Sequence, residues 1–248
     1  MQEAVLEHGA LRDHPVGEDE AALAGFEHYL RIDPKDAYVR YQMGEIWLDR
    51  GQLDRAERLF REALEMDDHV AAAKNALGAI AFKRGDLESA GRLAREALAL
   101  RADVRLAHYN LAQIAEARGD LATAEREYLE ELDLHPETYK AAFNLSRVYA
   151  QMGEKQLEME ALRQAIDGNP RFADGHFFLA RAVLASGGSL DEAASLARKG
   201  LELDAKAEMA PLGHYVLADI YNRRGQPGAA AREVAIARSL EAKRPVSR

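Results

Sequence analysis

Apolar residues recur along this chain at the three- and four-residue spacing of an amphipathic helix. They fall at Leu77 and Ile80, and thirty-four residues further on at Leu111 and Ile114. Each such stretch ends at a glycine, the residue that most readily takes the left-handed conformation that closes a helix. The pattern therefore predicts a chain built from short helices.

Six of these stretches are copies of one another, the first beginning at Tyr41 and the last at Tyr215. Their closing glycines are Gly51, Gly85, Gly119, Gly153, Gly187 and Gly225. Successive glycines lie thirty-four residues apart, except for a last step that is four residues longer. We place the extra residues at Gly188 and at 208–210. A fixed period of this length is typical of a solenoid, because one helix pair cannot bury its apolar face without neighbours.

The repeat resembles the tetratricopeptide repeat family, whose unit is a pair of antiparallel helices. The family's small residues at positions eight and twenty are matched in the first unit by Gly44 and Ala56. Small side chains there let two helices approach to about 8–10 Å. Glu131 and Glu158 are departures in the second helices of their units. The resemblance covers residues 17–244 and implies an all-α fold, a right-handed superhelical solenoid of antiparallel helix pairs.

The expected organisation is a capped array. Its six repeats are 37–70, 71–104, 105–138, 139–172, 173–207 and 211–244. Residues 1–36 are expected to form a degenerate or half repeat, with a lone second helix over 18–33, and residues 245–248 a tail. Asp86, Asp120 and Asp191 stand where a second helix needs a capping acceptor or a favourable charge. The last helix has no capping helix after it, so its face either stays exposed or packs on a second copy.

In this family, positions two, five, six and nine of the first helices line a concave groove that receives the partner. The resemblance therefore implies a partner-binding surface composed of Tyr41, Glu45, Asn75, Tyr109, Asn110, Gln113, Lys140, Phe143, Asn144, Arg147, Phe177, Arg181 and Tyr215. Position five is aromatic in five of the six units. Two interpretations are open: the rings pack against the adjacent helix, or they form a ladder that holds a partner segment.

Position six and the charges of the groove each have two interpretations. Asn110 and Asn144 are either ordinary residues of their position or amides that clamp a peptide backbone through a donor and an acceptor. Glu45 and Asp49 make the first repeat acidic, whereas the fourth to sixth repeats carry the cations Lys140, Arg147, Arg181 and Arg223. The C-terminal half is expected to receive an acidic segment. The alternative is an ordinary solvated face.

Composition and motifs exclude several functions. The 248 residues carry 33 Lys and Arg against 42 Asp and Glu, a net charge of −9 that argues against a nucleic-acid partner. No cysteine is present, which excludes thiol catalysis and disulfides. His108, His176 and His214 share one repeat position, too far apart to ligate one metal ion, and we expect them to be packing residues. No phosphate loop or nucleophile elbow appears, and no apolar run is long enough to span a membrane. We therefore expect no enzyme activity, cofactor or metal.

The predicted function is a non-enzymatic scaffold that binds a peptide or protein segment in the groove. One alternative is a C-terminal regulatory or targeting appendage of a larger bacterial enzyme, sulfatase-like or transferase-like. Another is an assembly factor at a cell envelope that handles sugar or lipid. Arginine outnumbers lysine 25 to 8, which suggests a bacterial source. Residues 1–11 show no secretory signal, so a cytoplasmic location is expected.

Overall fold

A computed structural model of the protein describes residues 16–243, which form thirteen α-helices and no strand. The helices are α1 Val16–Ile32, α2 Ala37–Asp49, α3 Leu53–Met66, α4 Ala71–Lys83, α5 Leu87–Leu100, α6 Ala107–Ala117, α7 Leu121–Leu134, α8 Tyr139–Met152, α9 Lys155–Gly168, α10 Ala173–Ala185, α11 Leu190–Leu203, α12 Ala210–Arg223 and α13 Pro227–Ala242. The predicted all-α fold class is confirmed. The expected first half of the capping repeat, in residues 1–15, and the tail lie outside the described residues.

The contacts divide the chain into two compact units, with the boundary inside α6 between Ile114 and Ala115. Unit 1 contains α1 to α5 and most of α6, and unit 2 contains the end of α6 and α7 to α13. Within each unit, consecutive first and second helices pack as pairs, such as α4 with α5 and α12 with α13. The glycines that end the first helices all have positive φ, from 67° to 83°, which explains why glycine recurs there.

Two aspartates cap second helices as the sequence predicts. The side chain of Asp86 accepts a hydrogen bond from the Ser89 backbone N–H at 3.0 Å, and Asp120 accepts one from Thr123 at 3.1 Å. Hydrogen bonds from the Ser89 and Thr123 side chains and backbone lower the pKa of the two carboxyls. Because the folded pKa is lowered, the stability from these caps is present at neutral pH and lost as the pH falls through it.

The third such aspartate has the other predicted role. The N-cap of α11 is Ser189, whose hydroxyl accepts from the Glu192 backbone N–H at 3.3 Å. Asp191 lies in the first turn of that helix, where its negative charge interacts favourably with the positive end of the helix dipole.

The core of unit 1 depends on small residues beneath one aromatic ring. Phe60 of α3 is fully buried, and its ring lies over Gly44 of α2, where a Cβ would come within 2.5 Å of Phe60 Cε1. Ala56 and Ala63, on the same helix, are also fully buried. Helix α1 packs against α2 through Leu23 and its apolar neighbours. The small residue at position eight of the first repeat is therefore required by the ring opposite it.

Unit 2 uses two glycines around one ring. Phe177 of α10 is fully buried, and the Cδ1–Cε1 edge of its ring lies against both Gly200 of α11 and Gly213 of α12. A Cβ at Gly213 would lie 2.6 Å from Phe177 Cδ1, and one at Gly200 would also overlap the ring. The ring therefore occupies the space that two β-carbons would fill, and it fixes the spacing of three helices. The cluster around the ring contains the buried Ala173 and Ala210, with the partly buried Leu201, Leu203 and Leu212 packed against it.

The third repeat begins later than its sequence indicates. The repeat pattern starts this unit at Arg105, but α6 begins at Ala107. Leu106 has a φ of 62°, in the left-handed region that a residue with a side chain rarely adopts. The backbone before it is held from α4, where Asn75 Nδ2 donates to the Arg105 carbonyl at 3.0 Å. The positive φ of Leu106 interrupts the helix and delays its start.

Candidate functional site

One face of unit 2 combines cations with aromatic rings. Lys140, Phe143, Asn144 and Arg147 lie three and four residues apart on α8, so they share one side of that helix. On the first helix of the next repeat, Phe178 and Arg181 of α10 are similarly spaced. We call the accessible members of this set the unit 2 surface, defined by Lys140, Phe143, Arg147, Phe178 and Arg181, since Asn144 is buried.

The rings of the unit 2 surface are packed edge to face. Phe143 lies 5.2 Å from Phe178 between ring centroids, at an interplanar angle of 77°. It also lies 5.0 Å from Phe172, at 85°. The Arg181 guanidinium carbon is 4.8 Å from the Phe178 ring centroid, within the range of a cation–π interaction. Such edge-to-face contacts restrict the movement of the rings, so an apolar side chain of a partner could pack against a rigid aromatic cluster.

Two carboxylates, one buried and one half-buried, hold the arginines of this surface. Arg147 lies 3.5 Å from Glu116 of α6, and Arg181 lies 3.3 Å from Glu158 of α9. The arginine side chains are 51% and 44% exposed, whereas the glutamates are 14% and 12% exposed. The Tyr128 hydroxyl donates to Glu116 at 2.7 Å and so fixes the first carboxylate. Because a guanidinium has five N–H donors, each arginine keeps donors that face solvent.

The first helix of the first repeat, α2, carries the acidic residues Glu45 and Asp49. Tyr41 of α2 packs against the rings of Phe60 and Tyr38, at 5.8 Å and 5.9 Å between centroids. Burial raises the pKa of Tyr41, and the Glu45 carboxylate nearby raises it further. The Tyr41 side chain therefore stays neutral, and it belongs more to packing than to an exposed ladder. Asp49, also on α2, is exposed.

The asparagines of unit 1 bond to each other inside the fold. Asn110 Nδ2 donates to Asn75 Oδ1 at 2.9 Å, and Asn75 Nδ2 donates to the Arg105 carbonyl at 3.0 Å. Both side chains are buried. These amides join α4 to α6 and to the loop before it, a structural role that leaves little for a partner. Asn144 of unit 2 is buried as well.

We expect Asn75→Ala to lower the free energy of unfolding by about 1–2 kcal/mol, since it leaves the Asn110 amide and the Arg105 carbonyl without this partner. Urea denaturation followed by circular dichroism measures the loss. Gln42→Ala, a half-buried amide of α2, is the matched control and should cost less than about 0.5 kcal/mol. Equal effects of the two changes would contradict a structural role of the Asn75–Asn110 pair.

The other predicted site residues differ in how far they are exposed to solvent. Tyr109 and Gln113 are half-buried on α6, and the Tyr215 hydroxyl donates to Glu241 of α13 at 2.9 Å. Phe177 requires a correction, because it was expected on the partner-binding surface and has no exposed area. Its neighbour Phe178 lies on the unit 2 surface in its place. Phe178, at position six, is not among the predicted site residues, although two consecutive phenylalanines could have signalled that one faces inward and one outward.

The histidines of the repeat lie in packing contacts. His176 is buried against the Pro170 carbonyl, at 3.2 Å from Nε2, and His214 Nδ1 lies 2.7 Å from Glu233 Oε2 of α13. Within residues 16–243, the group of side chains close enough to share a metal ion is Asp67, Asp68 and His69, all exposed in the loop before α4. No helix in this part of the chain is both long and apolar enough to cross a membrane.

Several solved structures have the same architecture as this chain. The chain is 17% identical to a chain of the APC/C hetero-tetramer Cut9-Hcn1, over 92% of this chain and 44% of that one, with a TM-score of 0.73. It is 17% identical to PilF of Pseudomonas aeruginosa, over 85% and 99% of the two chains, with a TM-score of 0.71. YrrB, described as a TPR protein with an unusual peptide-binding site, is 19% identical over 74% and 93%, with a TM-score of 0.61. At these identities the likeness shows the fold.

Sequence profiles identify the family directly. Two profiles described as tetratricopeptide repeat match the chain, one at residues 41–104, 109–166 and 159–208, and the other at 211–235. Curated proteins give no match to the sequence. The profiles cover well over half of the chain and agree with the helix pairs and closing glycines described above. The fold is consistent with a protein-interaction scaffold, and the chain belongs to the tetratricopeptide repeat family.

Proposed function

We propose that the protein is a non-enzymatic scaffold that binds a segment of another protein on the faces of its first helices. The observation that carries this proposal is the unit 2 surface, where two half-exposed guanidinium groups flank a packed pair of phenylalanine rings. A surface that combines aromatic rings with arginine has the composition of interface hot spots.

The partner segment at unit 2 carries acidic side chains next to an apolar one. Arg147 and Arg181 each use part of their donor set on a glutamate of the protein, and a carboxylate of the partner binds to the donors that remain. Lys140 adds a third positive charge on α8. The rings of Phe143 and Phe178 accept the apolar side chain between these charges. The peptide-binding site named for YrrB supports peptide capture as a use of this architecture.

Reversing the two arginine charges tests the proposal. A displayed random-peptide library, selected on the whole protein, is expected to yield peptides rich in Asp and Glu with an apolar residue beside them. For the best peptide, Arg147→Glu with Arg181→Glu should weaken binding at least about tenfold, or about 1.4 kcal/mol, because attraction becomes repulsion. Fluorescence anisotropy measures the affinity, and circular dichroism checks that helicity is kept.

The matched control is Arg163→Glu with Arg198→Glu. These arginines lie on the second helices α9 and α11 and are similarly exposed, so the net charge changes equally. Binding should then change less than about threefold, by long-range electrostatics alone. The proposal that the unit 2 surface binds the partner would be refuted if Arg147→Glu with Arg181→Glu left the peptide affinity unchanged. It would also be refuted if both double variants lost affinity equally.

A further inference from the structure

One surface position of the second helices has a different type of residue in α7. At this repeat position the helices α3, α5, α9 and α11 carry an exposed arginine: Arg61, Arg95, Arg163 and Arg198. Helix α7 has Leu129 there, and this side chain is 46% exposed. A single exposed leucine is ordinary on a protein surface, so the surroundings of Leu129 decide whether it has a role.

Leu129 lies in a groove between two second helices of unit 2. Helices α7 and α9 both pack against α8, and an open cavity of about 420 Å³ lies between them. The cavity is lined by Leu129, Glu130, Leu132, Asp133 and Gln164, and we call these five residues the α7–α9 groove. Leu132 is buried, whereas the other four are exposed. The volume is within the range of ligand sites in proteins.

The α7–α9 groove is acidic. Glu130 and Asp133 are exposed, and none of the described residues that line the groove is a cation. In α3, by contrast, the arginine of this position donates to a carboxylate, with Arg61 at 2.6 Å from Glu57. The leucine of α7 therefore removes a positive charge as well as adding apolar area, and both effects distinguish this groove from the same place in other repeats.

A neighbouring arginine of α7 offsets only part of this charge. Arg126 donates to Glu127 at 2.9 Å and also interacts with Glu130, which lies one turn further along the helix. Asp133 lies seven residues beyond Arg126, or about 10 Å along the helix axis. The carboxylate of Asp133 is therefore left without this cation.

The cations of α9 do not neutralise the groove either. Arg163 is next to Gln164 in sequence, but its guanidinium contacts Glu192 of α11 at 3.3 Å. Lys155 is the first residue of α9, nine residues before Gln164, or about 13 Å along the helix axis. The groove therefore keeps a net negative charge.

The acidic character continues one turn earlier on both helices. Tyr149 of α8 is buried there, close enough to Glu125 of α7 and Glu160 of α9 for both carboxylates to act on its hydroxyl. Burial, and then these two carboxylates, raise the pKa of Tyr149 to about 12, so the hydroxyl stays neutral. Because Glu125 and Glu160 precede Leu129 and Gln164 by four residues, two further negative charges flank the groove.

We propose that the α7–α9 groove is a second docking site, which binds a protein segment carrying a lysine or arginine next to an aliphatic side chain. The aliphatic side chain packs on Leu129 and Leu132, and the cation pairs with Glu130 and Asp133. The groove belongs to second helices, so it differs in place and in charge preference from the unit 2 surface on the first helices. This inference does not rest on the function proposed for that surface.

Restoring the arginine of the other repeats tests the site. A displayed random-peptide library, selected on the wild-type chain, is expected to yield a class of peptides with Lys or Arg beside Leu, Ile, Val or Met. For the best of these basic peptides, Leu129→Arg should weaken binding at least about tenfold, because it removes the apolar contact and places a cation in the groove. Fluorescence anisotropy measures the affinity. Four second helices already carry arginine at this position, so the fold accepts it, and circular dichroism checks the helicity.

Ala235→Arg is the matched control, since it adds an arginine at the same repeat position of α13, where the residue is also exposed. It should change the affinity of the basic peptide less than about twofold. Glu130→Gln with Asp133→Asn should weaken binding at least about threefold and reduce its dependence on salt.

The proposal is overturned if the library yields no basic class, or if Leu129→Arg or the double amide variant leaves the affinity unchanged. It is also overturned if Ale-type equal losses occur, that is, if Ala235→Arg weakens binding as much as Leu129→Arg does. Acidic peptides that bind the unit 2 surface should bind the Leu129→Arg chain unchanged. A failure of the groove is therefore distinguishable from a failure of the proposed scaffold function.

Discussion

Phe177→Ala is expected to destabilise unit 2 by about 3–5 kcal/mol, the loss typical of a fully buried phenylalanine. The ring fills the space over Gly200 and Gly213, and neither glycine has a side chain that could close the cavity. The helices α10, α11 and α12 would have to move together to refill it. The cavity term therefore adds to the lost burial of the ring, and the effect should lie near the upper end of that range.

The matched control is Phe178→Ala, the adjacent residue on the same helix. Its ring is half-buried and contacts Phe143 and Arg181 at the surface, so its loss should cost less than about 2 kcal/mol. The same change should weaken binding of an acidic peptide, because the ring belongs to the unit 2 surface. Urea denaturation and native-state hydrogen exchange of α10–α12 distinguish the two residues. Equal destabilisation by both would contradict the inward position of Phe177.

Much of the fold could be predicted because its signals are local. The glycine that ends a first helix needs only its own positive φ, and the capping bond of Asp86 or Asp120 spans three residues. Helical spacing of apolar residues is local too. A repeated local signal locates every helix pair, and it also places Gly188 in the loop before α11.

Long-range contacts could not be predicted in the same way. Whether position five faces inward depends on the residues opposite it, and Phe177 is buried because two glycines thirteen residues apart, Gly200 and Gly213, lie against its ring. Asn75 is buried because it bonds to Asn110, which is thirty-five residues further along the chain. Leu106 delays α6 through a backbone angle that its residue type does not favour.

One departure from the family pattern gains an explanation from the structure. Glu158 occupies a position where the family has alanine, and the sequence alone presents it as a poor fit. Its carboxylate lies 3.3 Å from Arg181, which in turn lies over the Phe178 ring. A buried acid is costly without a cationic partner, and here the partner is the arginine of the next repeat. The substitution therefore belongs with the unit 2 surface and is not a defect of α9.

Gly200→Ala with Gly213→Ala is the second change for which we expect a large effect, a loss of about 2–5 kcal/mol. Each added Cβ would lie within 3.0 Å of the Phe177 ring, and both would meet its Cδ1 and Cε1 atoms, so the ring would have to shift away from two helices at once. The overlap outweighs the gain of about 1 kcal/mol that each alanine normally brings to a helix. Gly228→Ala is the control, since nothing lies within 4 Å of a Cβ there, and it should be neutral or stabilising.

A double-mutant cycle shows whether the ring is the cause. In a Phe177→Leu background the smaller side chain leaves room for both β-carbons, so the same two alanines should cost less than half of what they cost beside phenylalanine. Urea denaturation of the four proteins gives the coupling free energy between the ring and the glycines. Coupling near zero would mean that the helices move apart to accept the alanines. The Phe177 ring would then occupy the space between α10, α11 and α12 but would not determine the distances between them.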